Sequence, residues 1–130
     1  KYSLIGGLEE FAAQFCDTLN RNTDFTAAVA DRDSIIAVAG NGKRELLGKP
    51  ITAELENVME KRSLFAPEEA ALAACEGAES FAVAVAAPIL CEGDVLGLIL
   101  FLTDEEKRAG EAEQKLAQTV AAFLGKHMES

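Results

Sequence analysis

The stretch SFAVAVAAPILCEGDVLGLILFLT, residues 80–103, decides the architecture. Its two arms, Ser80–Leu90 and Val95–Thr103, are aliphatic and rich in strand-forming residues, and they flank Cys91, Glu92, Gly93 and Asp94. Gly93 tolerates a positive φ angle, so the natural reading is an antiparallel hairpin. Pro88 has no N–H to give, which assigns it to a bulge or to a side of its strand that lacks a neighbour. Gly97, inside the second arm, marks a bend or a close backbone approach.

Working outward, Phe25–Ala30 and Ser34–Ala39 form a second pair of strand-like runs around Asp31, Arg32 and Asp33. A short polar turn between β-prone runs predicts another antiparallel hairpin. Neither run alternates between apolar and polar, as expected for a sheet covered on both faces. Between the hairpins, Lys43–Leu47, Thr52–Lys61 and Pro67–Cys75 read as helical pieces. Pro50 and Pro67 mark their boundaries, and Glu68 and Glu69 suit a first helical turn. Residues 62–66 between two of the pieces read as a short extended segment.

Amphipathic helices close both ends. Leu4, Leu8, Phe11, Phe15 and Leu19 recur every three or four residues along one stripe,. The 4-3-4 spacing of the first four is also that of alternating d and a positions in a helix pair. Gly6 and Gly7 weaken the start of this helix by about 1 kcal/mol each relative to Ala. From about Gly110 to Met128, Leu116, Val120, Phe123 and Leu124 form a second stripe, with Glu111 and Glu113 in the first turn and Lys126 and His127 in the last,. The order helix, hairpin, helical insert, hairpin, helix is not that of a doubly wound parallel sheet. It predicts an α+β sandwich: a central antiparallel sheet, the terminal helices on one face, and the insert on the other face or at its edge.

The chain has 130 residues, 49% of them hydrophobic, which suits one globular domain spanning 1–130,. With 12 Lys+Arg against 22 Asp+Glu the net charge is −10, so the chain lacks the basic face that phosphate contacts need. No apolar run is long enough to cross a bilayer, and none near Lys1 has the form of a secretory signal. Cys16, Cys75 and Cys91 are odd in number and widely spaced, which argues for the cytoplasm and against a disulfide framework or a zinc site,. No cofactor or metal is expected. The start at Lys1 rather than Met leads to the expectation that this is the C-terminal part of a longer regulator.

The second hairpin, with Ala87-Pro88-Ile89, the Gly93 turn and then Val95 to Leu100, resembles the pattern of GAF domains, relatives of PAS domains. Three further stretches are similar to the C-terminal domain of the stage V sporulation protein T family of transcription factors. They are Asp31–Gly40, Lys61-Arg62-Ser63, and Gly110–Lys115 leading into Ala121–Leu124 and Met128-Glu129. The likeness runs from about Tyr2 to the end and is poor over residues 64–79. It implies a regulatory domain that senses an unidentified small effector or assembles dimers into tetramers. It also implies a swapped-hairpin DNA-binding domain before Lys1, through which DNA would be contacted.

Candidate roles divide accordingly. Arg62 and Ser63, followed by Phe65, stand as candidates to line an effector cleft, Arg62 pairing with an anionic group and Phe65 and Phe81 forming apolar walls. Leu4, Leu8, Phe11, Phe15, Val120 and Phe123 stand as a homo-oligomer interface through the terminal helices; the competing reading is that both stripes only cover the sheet. Asp31 and Asp33 are explained by a polar turn without chemistry. His127 reads as a solvated residue near a helix end. No catalytic residue is assigned.

Two alternatives to a sensor are carried. One is a constitutive oligomerisation module with no ligand. The other is a GAF-type free methionine sulfoxide reductase, which uses cysteine thiols; the Cys75–Cys91 spacing does not match that family, and the chain has no Trp and one Tyr. Cys16 and Cys75 read as buried on helices, and Cys91, beside an exposed turn, as the reactive thiol. The charge predicts that this chain will not retain duplex DNA at physiological salt in a gel-shift titration, and specific retention would overturn that reading.

Overall fold

The computed structural model describes residues 4–68 and 72–128, with side chains from residue 11 onward. In chain order the elements are α1 (Leu4–Arg21), β1 (Thr26–Ala30), β2 (Ile35–Ala39), α2 (Lys43–Leu46), α3 (Ala53–Glu60), β3 (Ala82–Cys91), β4 (Asp94–Thr103) and α4 (Glu111–His127). The four strands form one sheet in the order β2-β1-β4-β3, and every neighbouring pair is antiparallel. Both hairpins therefore lie in a single layer, joined through the β1–β4 pairing.

Local chemistry explains each turn. Asp31 Oδ1 accepts hydrogen bonds from the backbone N–H of Asp33 and of Ser34, each at 2.8 Å, which closes the first hairpin and occupies that carboxylate,. The second hairpin pairs Cys91 with Asp94, leaving Glu92 at φ 52° and Gly93 at φ 87°. Two consecutive positive φ angles are those of a type I′ turn, whose twist matches the strands. Ile89 pairs with Gly97 and Leu90 with Val95, so Leu96 of β4, next to Gly97, is the extra residue of a bulge.

The sheet is covered on both faces. On one side α1 and α4 pack Ala12, Cys16, Leu19, Ala117, Val120, Ala121 and Leu124 against Val29, Val85, Ile99 and Phe101. On the other, α2, α3 and the following chain bury Leu46, Leu55, Met59, Cys75 and Phe81 against Ala28, Val83, Leu98, Leu100 and Leu102. Thr52 caps α3: its Oγ1 accepts from the Leu55 N–H at 3.1 Å and donates to the Ala73 carbonyl at 2.9 Å,. Gly110 starts α4, where Glu113 Oε1 accepts its N–H at 2.8 Å.

Three expectations are corrected. The described residues of 67–75 are not helical: Ala73 bridges Ala82 and Cys75 bridges Ile51, while the Val83 N–H donates to the Leu72 carbonyl at 2.9 Å. The outer edge of β3 offers unpaired backbone groups, and satisfying them outweighs a helix-start signal in the sequence. Cys75 is buried as expected, on this bridge rather than on a helix. The large stripes are only partly what the terminal helices bury: Leu19, Val120 and Leu124 lie in the core against the sheet. Small residues, Ala12 and Cys16 in α1 and Ala117, Ala121 and Gly125 in α4, face the sheet, whereas Phe11 is 43% and Phe123 54% exposed.

Close approach is the reason. A Cβ built on Gly125 would lie 2.0 Å from the Leu90 carbonyl oxygen, so α4 rests directly on the end of β3. Gly125→Ala should lower stability by about 1–3 kcal/mol through overpacking, despite the ~1 kcal/mol that Ala gains over Gly within a helix. A urea titration with a lower midpoint and an unchanged slope is the expected result. Burial also separates the thiols: Cys16 and Cys75 are fully buried and Cys91 is half-buried at the hairpin end. Burial pushes the Cys16 thiol up to about 12 and raises that of Cys75 as well,. Iodoacetamide should therefore label Cys91 alone in the native protein and all three cysteines in urea, as read by peptide mass.

Candidate functional site

Two surfaces carry the residues singled out in the sequence. The first is the outer edge of β3. Phe65 exchanges both backbone hydrogen bonds with Ala86, at 2.9 and 2.8 Å. Ala86 therefore turns its N–H and C=O away from β4, and by the strand's alternation Pro88 points the same way. Proline has no N–H to continue such a pairing, and the chain before Phe65 swings away from the strand. A groove of about 570 Å³ opens there, between residues 62–64 on one side and α4 on the other. Ala87, Pro88 and Leu90 belong to β3, Gln118, Ala122 and Lys126 to α4, and Arg62, Ser63 and Leu64 to the segment opposite.

Arg62 is placed by the end of α3. Lys61 closes that helix, and Arg62 follows at φ 59° with its N–H donating to the Met59 carbonyl at 3.1 Å. This is the left-handed position after a helix that glycine usually occupies. A long cationic side chain stands there instead. Lys126, in the last turn of α4, lines the same groove, and none of the lining residues among the described residues is a carboxylate.

The second surface is the side of the terminal helices away from the sheet. Phe11 meets His127 with ring centroids 5.0 Å apart, and Phe15 meets Phe123 at 5.5 Å. Both contacts are edge-to-face. His127 also stacks with Phe123 at 6.2 Å. Residue number rises along α1 as it falls along α4, so the two helices lie antiparallel and hold an aromatic row between them. Phe11 and Phe123 are two of the four exposed large hydrophobic residues among the described residues.

The candidates from the sequence fall as follows. Arg62 and Ser63 come together on the groove wall. Phe65 is half-buried and packs against the core on the α2–α3 side of the sheet. Phe81 is 5% exposed in that same core, its ring pressed over Gly42, where a Cβ would lie 2.3 Å from Cζ. Gly42 has φ 84°, which also favours glycine,. Phe11, Phe15 and Phe123 share the aromatic row, while Val120 faces the sheet with 8% exposure. The side chains of Leu4 and Leu8 lie outside the described residues.

Sequence reasoning missed Lys126, Gln118, Pro88 and Leu90 as neighbours of Arg62. Pro88 itself was the available signal, because it marked where edge pairing must stop. No disulfide joins the cysteines: Cys16 belongs to the core beneath α1 and α4, Cys91 packs at the margin of that same core, and Cys75 belongs to the core on the opposite face of the sheet. Among the described residues no group of three or more His, Cys, Asp or Glu side chains is arranged to hold a metal. No helix among them is long and apolar enough to cross a membrane.

Comparison with known proteins agrees with this geometry. In fold, the chain is similar to the GAF domain of an Acinetobacter phosphoenolpyruvate-protein phosphotransferase, with a TM-score of 0.73 at 12% identity, covering 97% of this chain and 82% of the other. It is also similar to a type II free methionine-R-sulfoxide reductase from Thermoplasma acidophilum, with a TM-score of 0.64 at 13% identity, covering 92% and 93%. At such identities the likeness establishes the GAF fold alone. In sequence, the chain is 33% identical over 134 aligned positions to stage V sporulation protein T of Bacillus subtilis, covering 99% of this chain and 73% of that protein. Residues 7–129 match the family described as stage V sporulation protein T C-terminal, transcription factor. A single sheet with both hairpins in one layer, terminal helices on one face and this sequence match lead to one conclusion: the chain belongs to the C-terminal domain family of stage V sporulation protein T, a family of transcription factor domains, and has a GAF fold.

Proposed function

We propose that this chain is the non-catalytic regulatory module of a cytoplasmic sporulation transcription factor, and that it joins subunits through the outer face of α1 and α4. DNA contact is made by another part of the protein. The observation that carries this reading is the aromatic row. Phe11 and Phe123 each leave about half of their surface in water, while Ala12, Cys16, Leu19, Ala117, Val120, Ala121 and Leu124 occupy the sheet-facing positions of the same helices. Burying the exposed half of such a ring against a second copy gains about 1 kcal/mol per side chain. The 4-3-4 spacing from Leu4 to Phe15 is that of a helix that pairs along its length.

The region between the sheet and α2–α3 supports assembly over sensing at that location. Leu46, Leu55 and Met59 are at most 1% exposed and fill the space over Leu98 and Leu100. The reductase alternative rests on Cys75 and Cys91, and Cys75 lies in the core on the opposite face of the sheet from the core against which Cys91 packs.

Phe123→Glu tests the proposal. The position is exposed, so stability should change by no more than about 0.5 kcal/mol. Self-association should weaken at least tenfold, about 1.4 kcal/mol, when parent and variant are compared by sedimentation equilibrium. An associating parent whose variant associates equally well would reject the helix face as the interface.

A further inference from the structure

The groove at the β3 edge has the makings of a binding site that stands apart from the aromatic row. Its floor, Ala87, Pro88 and Leu90, is apolar, and its rims carry Arg62 and Ser63 on one side and Gln118 and Lys126 on the other. From these residues we infer that the groove takes a small organic anion, its acid group held between Arg62 and Lys126 and its short apolar body lying on Pro88 and Leu90.

Four observations converge on this. Among the described residues the groove's lining carries two cations and no carboxylate in a strongly acidic chain, so an anion entering it meets attraction from both rims. Arg62 holds a left-handed backbone at φ 59°, where glycine would fit without strain and a side chain does not. Keeping a guanidinium at that position makes sense if the guanidinium is used, and its fork of donors matches a carboxylate or phosphate. Pro88 removes the N–H that an added peptide strand would need, which favours a small molecule over a strand-forming peptide. The back wall is fixed, because α4 at Gly125 rests on the Leu90 carbonyl. A ligand touching both rims would tie residues 62–64 to α4 without reshaping the floor.

The backbone supplies a clean variant. Arg62→Gly removes the guanidinium while relieving the strained position, so it should melt at or above the temperature of the parent. A 15N–1H correlation titration with hexanoate should move the amides of Ser63, Leu64, Gln118 and Ala122, with saturation in the millimolar range. Hexylammonium, the same chain with the opposite charge, should shift them at least tenfold more weakly, and inorganic phosphate should bind more weakly than hexanoate. Arg62→Gly and Lys126→Ala should each lose at least fivefold in affinity for hexanoate. Repeating the titration in the Phe123→Glu background separates the groove from self-association. Equal response to hexanoate and hexylammonium, phosphate binding as tightly as hexanoate, or unchanged affinity in Arg62→Gly would each overturn the inference.

Discussion

The architecture depends on the central strand β4 being buried on both faces at once. From Leu98 to Leu102 every side chain is fully buried, with Ile99 and Phe101 in the core under α1 and α4 and Leu98, Leu100 and Leu102 in the core under α2 and α3. β4 pairs with β3 on one side and β1 on the other, so its backbone groups are satisfied by neighbours while its side chains join two separate cores. Exposing either face would strand about 25 cal/mol of lost burial for each Å² of apolar surface uncovered. The terminal helices and the mid-chain insert are therefore both required by one strand.

Small residues set how the layers meet. The strands carry Ala27, Ala28, Ala30, Ala84, Ala86 and Ala87, all buried, and the helices answer with Ala12, Ala117, Ala121 and Gly125. Backbones that approach this closely leave room for Leu19, Val120 and Leu124 but not for every large side chain of the same helices. Phe11, Phe15 and Phe123 are displaced to the flank, where they meet one another and His127. The aromatic row is in this sense a product of the core, and the surface proposed for assembly follows from the packing beneath it.

Much of this was legible beforehand. Residues 80–103 announced a hairpin through composition and one glycine, and the two terminal stripes announced helices that cover a sheet. The period of a helix gives a face, however, and does not say which of two adjacent faces is pressed against the sheet. Ala12 and Cys16 carry little hydropathy signal beside Phe11 and Phe15, yet they occupy the contact. The insert was harder still. Pro67, Glu68 and Glu69 have the chemistry of a helix start, and only the unpaired edge of β3, formed by residues distant in sequence, accounts for Leu72 and Ala73 lying along it. Lys126 and Arg62 are likewise 64 positions apart (126 − 62), and no local pattern could have set them on one groove.

Both margins of the sheet are obstructed in part. Beside β2, the Ile35 N–H donates to the Lys49 carbonyl, Gly48 donates back to Ile35, and Pro50 follows. Beside β3, residues 65 and 73 take up Ala86 and Ala82, and Pro88 guards the remainder. An alanine- and valine-rich sheet with open margins would template the stacking of further chains into fibrils. With these margins blocked in part, a chain that is nearly half hydrophobic offers fewer open strand groups on which a second copy could extend the sheet.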